Sequence, residues 1–290
     1  MSVRFITRVC EVTCALGENL FEPQGDRYTS LLPYMILTFE HGDIRELRLN
    51  RPPVNALSPE LIAALLRAVQ AAPRDGKRAL VLSGSPGIFS AGLDVPLLLK
   101  LDRMAMAALW REFYVLLGTI AASPIPIAAA ITGHAPAGGT VLGLFCDYRI
   151  AAAGEWRMGL SEVQVGLPLP PVILAALRRL VGLRHAERLA VNGLLITPTE
   201  AAACGLVDEV VSAEEVVDSA LKWCAGLLML PRTAMEITRR QARDHLTALL
   251  ARDTSEELAE VNTWWWSEET QTALHRMVEQ LAMKKKSAGN

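Results

Sequence analysis

"PAGGTVLGLFCDYRIAA", residues 136–152, sets a two-glycine turn, a short apolar run and a second apolar segment in immediate succession. Ala137, Gly138 and Gly139 permit a tight turn, a helix beginning at Gly138 or Gly139 follows, and "DYRIAAA" reads as a strand. Upstream, "IPIAAAITG" (125–133) is a buried strand, so the order is strand, glycine turn, helix, strand. A second small-residue turn, "FSAGLD" (89–94), follows the apolar strand "RALVLSG" (78–84) in the same manner. Such turns leave backbone N–H groups pointing outward, and a helix N-terminus adds its positive end, an arrangement suited to holding an oxyanion. Ordinary chain reversal explains the same glycines, and neither turn fits the dinucleotide or phosphate-loop glycine patterns.

Working outward, "MILTFE", the tight His41-Gly42 and "IRELRLN" alternate as the two arms of a hairpin. In "SPELIAALLRAVQAA", Ser58 is an N-cap, Pro59 occupies the first helical position, and Leu61, Leu65, Leu66 and Val69 form one apolar stripe. Strand-strand-helix order recurs loosely from there. Thr197-Pro198-Thr199-Glu200 is a capping box, Gly205 ends its helix, and "LVDEVV" is strand-like. Beyond about residue 213 only helical patterns appear: "VVDSALKWCAGLL", "TAMEITRRQARDHLTALL" and "SEETQTALHRMVEQLAMK". The chain thus divides into an N-terminal extension (1–34) without sustained periodicity, an α/β core (35–225) and a C-terminal helical region (226–290).

Across 290 residues, 51% hydrophobic and 21% charged, there is enough apolar material for a large core. The net charge of −2 with interspersed signs gives no field to attract nucleic acid or an anionic bilayer. No stretch offers about 18 uninterrupted apolar residues, so no spanning helix is expected. Five cysteines, unevenly spread, argue for a reducing compartment rather than a disulfide framework. Cys10 and Cys14 lack companions that would complete a metal site, and none is expected. Met35 makes a natural start, which points to a bacterial cytoplasm; Arg4 and Arg8 keep a mitochondrial presequence open for residues 1–34.

A proton-transfer group is available in "MGLSEVQVGLPLPP", where Glu162 stands in an apolar setting. Desolvation there would raise its pKa from an ordinary value of about 4.3 toward one useful for abstracting a proton beside a carbonyl. A water-facing carboxylate at a strand end is the alternative. His134, His185, His245 and His275 read as structural or solvent-facing.

"FSAGLD", "PAGGTVLGLFCDYRIAA" and "MGLSEVQVGL", in that order and spacing, resemble the crotonase, or enoyl-CoA hydratase/isomerase, superfamily. Within it the likeness is to the mitochondrial-type Δ3,Δ2-enoyl-CoA isomerases and extends from about Met35 to Leu281. The resemblance implies a spiral of β-β-α turns with a C-terminal helical trimerisation layer, acting as a homotrimer or hexamer on acyl-CoA thioesters with no cofactor beyond the coenzyme A of the substrate. It places the oxyanion amides at Leu93 and Gly138, coenzyme A contacts at Ala91, Asn55 and Ala56, and the catalytic acid-base at Glu162. Val141, Met158 and Leu160, with Val163 and Leu167, would line the acyl pocket, closed in part by C-terminal helices of a neighbouring subunit. Hydratases of the family carry a second glutamate where this chain has Val141, so double-bond migration by one carboxylate is implied rather than hydration. Ser161 replaces the asparagine usual in those isomerases. Asp147 and Arg149 are expected to be structural, as a buried pair. Other crotonase chemistry, such as thioester hydrolysis, or a silent acyl-CoA-binding scaffold are the competing readings.

Overall fold

The computed structural model describes residues 35–288; the N-terminal extension lies outside them. The chain runs β1 (Ile36–His41), β2 (Ile44–Leu49), α1 (Pro59–Arg74), β3 (Ala79–Ser83), β4 (Gly87–Ile88), α2 (Val95–Leu98), α3 (Arg103–Ala121), β5 (Ile127–Ile131), β6 (Gly133–Pro136), α4 (Gly138–Phe145), β7 (Tyr148–Ala152) and β8 (Met158–Gly159). A 3₁₀ turn (Glu162–Val165) leads to α5 (Pro171–Val191), α6 (Pro198–Cys204) and β9 (Glu209–Val211). Five helices follow: α7 (Val216–Leu228), α8 (Arg232–Ala242), α9 (Asp244–Ala251), α10 (Ser255–Trp265) and α11 (Glu268–Ala288).

Two sheets organise this order. One has six strands, β1-β2-β3-β5-β7-β9, parallel except for the β1–β2 hairpin; the other is the small parallel set β4-β6-β8. After the β1–β2 hairpin, each strand pair (β3–β4, β5–β6, β7–β8) gives its first member to the large sheet and its second to the small one, so the chain advances as a spiral, the expected α/β architecture. Alternate residues of the large sheet face opposite ways. Leu80, Leu82, Ile127 and Ala129 join the main core, while Ala79, Val81, Ala128 and Ala130 pack under Val216, Ala220 and Cys224 of α7. Burial on both faces is why "ALVLS" and "IAAAI" read as continuous apolar runs rather than alternating ones.

The local signals act as the sequence suggests. Ser58 accepts the Leu61 N–H at 3.3 Å, and Thr197 and Glu200 close a reciprocal capping box. α7 runs through position 225 and packs on the large sheet, and the main core extends to Leu274, so the helical region shares one core with the α/β part. "TAMEITRRQARDHLTALL" is two helices. Arg243, between them, turns inward and donates to the carbonyls of Phe145 and Cys146 at 2.6 and 3.2 Å, closing the C-terminal end of α4.

One expectation is corrected. Asp147 and Arg149 are buried and ion-paired, but not to each other: Asp147 holds Arg239 (2.7 Å) and Arg243 (3.0 Å), and Arg149 holds Asp208 (2.6 Å). The intervening peptide directs one side chain toward α8 and the other toward the residues before β9. Helix α3, although interrupted by Arg111 and Glu112, is long and apolar enough to cross a membrane by length and composition. Here its Met106, Leu109, Phe113, Leu117 and Ile120 are buried in the main core, which accounts for that apolar character.

Candidate active site

The first turn is held by the segment before α1. Asn55 sits in the left-handed region (φ 50°), and its side-chain amide donates to the Phe89 carbonyl at 3.1 Å. Ser90 Oγ donates to the Asn55 carbonyl (2.8 Å) and accepts the Gly92 N–H (3.2 Å). Ala91 N–H donates to Val54 O (2.9 Å), Leu57 N–H to Gly92 O (2.7 Å) and Asp94 N–H to Leu57 O (3.1 Å). This parallel zipper uses Gly92 C=O and Asp94 N–H on one side and leaves Leu93 N–H on the other.

The second turn enters α4 through Ala137, which adopts φ 49°, ψ −121°, a backbone state that an L-residue holds only when its surroundings enforce it. No side chain caps α4, and its first turn carries no acid. The two turns touch through their glycines. A Cβ on Gly92 would lie 3.0 Å from Gly138 N; one on Gly138 would lie 3.2 Å from Gly92 Cα and 3.5 Å from Leu93 N; one on Gly139 would lie 2.4 Å from Ser90 O. Neither Leu93 N–H nor Gly138 N–H donates to another group among the described residues. Two adjacent, unsatisfied amides, one at a helix N-terminus, can stabilise developing negative charge on an oxygen.

Strand β8 docks beside this pair. Gly159 C=O accepts the Ala137 N–H at 2.8 Å, and Gly159 N–H donates to Thr140 Oγ1 at 2.8 Å. Glu162 follows three residues later, its Cα within about 11 Å of that of Gly159 by chain length alone. It opens the 3₁₀ turn, which Gly166 closes in the left-handed conformation. Helix α11 of the same chain packs on this turn, and Thr270 Oγ1 donates to Gly166 O at 2.6 Å. The turn that carries the base is therefore packed by the chain's own C-terminal helix.

Glu162 as a residue is partly exposed, yet its Oε2 is sealed from solvent and has no hydrogen-bond partner. Desolvation pushes its carboxyl up to about 7, opposed only by its own backbone N–H. Other buried carboxylates are committed elsewhere. Glu46 binds Ser83 and Arg48, Asp147 binds Arg239 and Arg243, and Glu257 accepts from Tyr114 (2.7 Å), Arg252 (2.7 Å) and the Val172 N–H (3.2 Å). Val141, one turn into α4, is fully buried and brings no carboxyl.

Of the remaining residues singled out by sequence, Met158, Leu160 and Leu167 are buried in the main core, whereas Val163 is 37% exposed and turns away from it. Ala91 and Ala56 are half-buried beside the first turn, and the side chain of Asn55 is fully engaged in holding that turn. His134 is buried, its Nδ1 accepting the Arg157 N–H at 3.0 Å, and burial lowers its pKa to about 4. Among the described residues no three of His, Cys, Asp and Glu are grouped to hold a metal ion. An open cleft of about 420 Å³ between the C-terminal ends of α1 and α3 is lined by Val69, Pro73, Thr119 and Ser123 and by none of the site residues. Sequence reading missed Thr140 and the clamping role of Asn55, because a lone hydroxyl or amide in a loop carries no periodic signal.

Comparison with known proteins identifies the family. A family model described as enoyl-CoA hydratase/isomerase matches residues 40–287. Human mitochondrial enoyl-CoA delta isomerase 1 is 31% identical over 242 residues, 82% of this chain and 80% of that protein. A probable enoyl-CoA hydratase of Mycobacterium avium is 36% identical over 190 residues, 65% of this chain and 74% of that protein. The crystal structure of human mitochondrial Δ3,Δ2-enoyl-CoA isomerase superposes with a TM-score of 0.82 at 30% identity, covering 87% of this chain and 99% of that one. An enoyl-CoA hydratase/isomerase from Mycobacterium paratuberculosis superposes at 0.77 with 26% identity, covering 85% and 100%. A family match across nearly all the described residues, on a chain that superposes closely on a solved relative, means that this chain belongs to the enoyl-CoA hydratase/isomerase family.

Proposed function

We propose that this enzyme moves the double bond of a 3-enoyl-CoA thioester into conjugation, giving the 2-trans-enoyl-CoA of fatty acid β-oxidation, with Glu162 as the one catalytic acid-base. The observation that carries the reading is the sealed, unpartnered Glu162 Oε2 on a carboxyl titrating near 7, close to the optimum for moving a proton both ways. In this mechanism the Glu162 carboxylate takes a proton from C2. The electron pair of the broken C–H bond spreads through the thioester and the alkene, and the N–H groups of Leu93 and Gly138 hold the resulting dienolate oxygen. Protonated Glu162 then returns a proton to C4 as the C2–C3 double bond forms, which restores the carboxylate.

Val141 supports migration over hydration, since a buried valine cannot orient a water molecule. Ala91, Ala56 and the Asn55 backbone are assigned to coenzyme A, and Val141, Met158 and Leu160 to the acyl wall. The same reading assigns the reaction to a bacterial cytoplasm, or to the mitochondrial matrix of a eukaryote. It also includes assembly as a trimer or paired trimers; exposed Met229, Leu230 and Ile237 at the α7–α8 junction support an apolar contact of that kind. Purified enzyme mixed with 3-enoyl-CoA should produce the ultraviolet absorbance of the conjugated thioester, and Glu162→Gln should abolish it. Undiminished turnover by that variant would remove the mechanism.

A further inference from the structure

We propose that Thr140 is a positioning residue that fixes the oxyanion amides and the base relative to one another; the proposal rests on the reading of Glu162 and Gly138 given above. Thr140 is 5% exposed, and its single hydroxyl makes two bonds. Oγ1 accepts the Gly159 N–H at 2.8 Å and donates its one hydrogen to Ala135 O at 2.5 Å. Because a backbone N–H only donates, these directions are fixed.

The two partners belong to the two halves of the site. Ala135 lies two residues before the strained Ala137 and three before the Gly138 amide. Gly159 lies three residues before Glu162 and is gripped on both sides, its C=O by Ala137 N–H and its N–H by Thr140. No side chain fits at this position, which sits at φ 139° and where a Cβ would lie 2.2 Å from Leu194 O. Strands β6 and β8 are paired directly, Ala135 with Met158 and Pro136 with Gly159; Thr140 therefore ties α4, whose first residue is Gly138, to both of them at the level of Gly159. Ser90 secures the first turn with a comparable pair of hydroxyl bonds, to Asn55 O and Gly92 N–H, but its hydroxyl makes no bond to β8. Without Oγ1, Gly159 N–H and Ala135 C=O keep the ladder bond they share, but α4 loses its side-chain tie to both strands, and its first turn, which carries the Gly138 amide, is free to shift against β8. A proton transfer between fixed atoms is sensitive to displacements well below 1 Å.

The test compares Thr140→Val, which keeps the shape, with Thr140→Ser, which keeps the hydroxyl, in the full chain. With 3-enoyl-CoA, Thr140→Val should lower kcat at least tenfold with KM within about twofold, and Thr140→Ser should restore kcat to within about threefold of wild type. Independently of turnover, the titration midpoint of Glu162, followed by its infrared carboxyl band against Glu162→Gln, should move by about half a pH unit or more in Thr140→Val and return in Thr140→Ser. If Thr140→Val does not fold, Thr140→Cys takes its place. Wild type inactive on 3-enoyl-CoA would defeat the isomerase reading, and the midpoint then decides the role of Thr140 alone. An unmoved midpoint, or a loss that appears wholly in KM or that serine fails to restore, overturns the proposal.

Discussion

Replacing Glu162 by glutamine should make the protein more stable as it makes it inactive, and the gain should depend on pH in a defined way. In the folded chain the carboxyl is pushed from an ordinary 4.5 to about 7 by desolvation. A raised acid binds more protons folded than unfolded between those two values. Its contribution is harmless below the lower one, and stability is lost as pH rises toward the upper one. A displacement of about two and a half pH units, at about 1.4 kcal/mol each, amounts to about 3 kcal/mol above pH 7. Glutamine stays neutral throughout and escapes this cost while filling the same space. The variant should therefore exceed wild type by about 3 kcal/mol at pH 8, by less than half of that at pH 5.5, and by almost nothing near pH 4.5. Urea midpoints of both proteins across that range, at equal slope, provide the measurement. Equal midpoints at pH 8, or an advantage that persists unchanged at pH 5, would refute the claim that an uncompensated buried charge sits at position 162.

The same carboxyl should make kcat/KM fall about tenfold per pH unit below about 7, because only the ionised form can accept the C2 proton; a profile flat down to pH 5 contradicts this. Gly139→Ala drives a Cβ to within 2.4 Å of Ser90 O and forces the two turns apart, so kcat should drop by about 10²–10³ while circular dichroism stays that of the folded protein. Asp147→Ala leaves Arg239 and Arg243 facing each other without their shared acid, and urea unfolding should show a loss of about 3–5 kcal/mol.

Much of this arrangement is legible in the residues. Apolar runs without alternation give the doubly covered strands, and Ser58-Pro59 and Thr197-Pro198-Thr199-Glu200 give helix starts from local hydrogen bonding alone. The glycine pairs locate the turns because close backbone approach excludes a side chain. Less legible is anything decided by partners far along the chain. Asp147 and Arg149, two residues apart, could be read as a pair, but their partners are contributed by residues 239, 243 and 208. Arg243 looks like one more cation on a helix face until the carbonyl end of α4 draws it inward. Val163 is apolar yet turns outward, because a 3₁₀ turn of four residues cannot bury every side. β4 and β8, two residues each, are too short for any period, although they hold both halves of the site.

Leu93, Gly138 and Glu162 come from one polypeptide, as does the helix α11 that packs on the turn beginning at Glu162. Blending active copies with Glu162→Gln copies should consequently dilute turnover in simple proportion to the active fraction, with no poisoning of intact molecules by defective neighbours, whatever the assembly in which they meet.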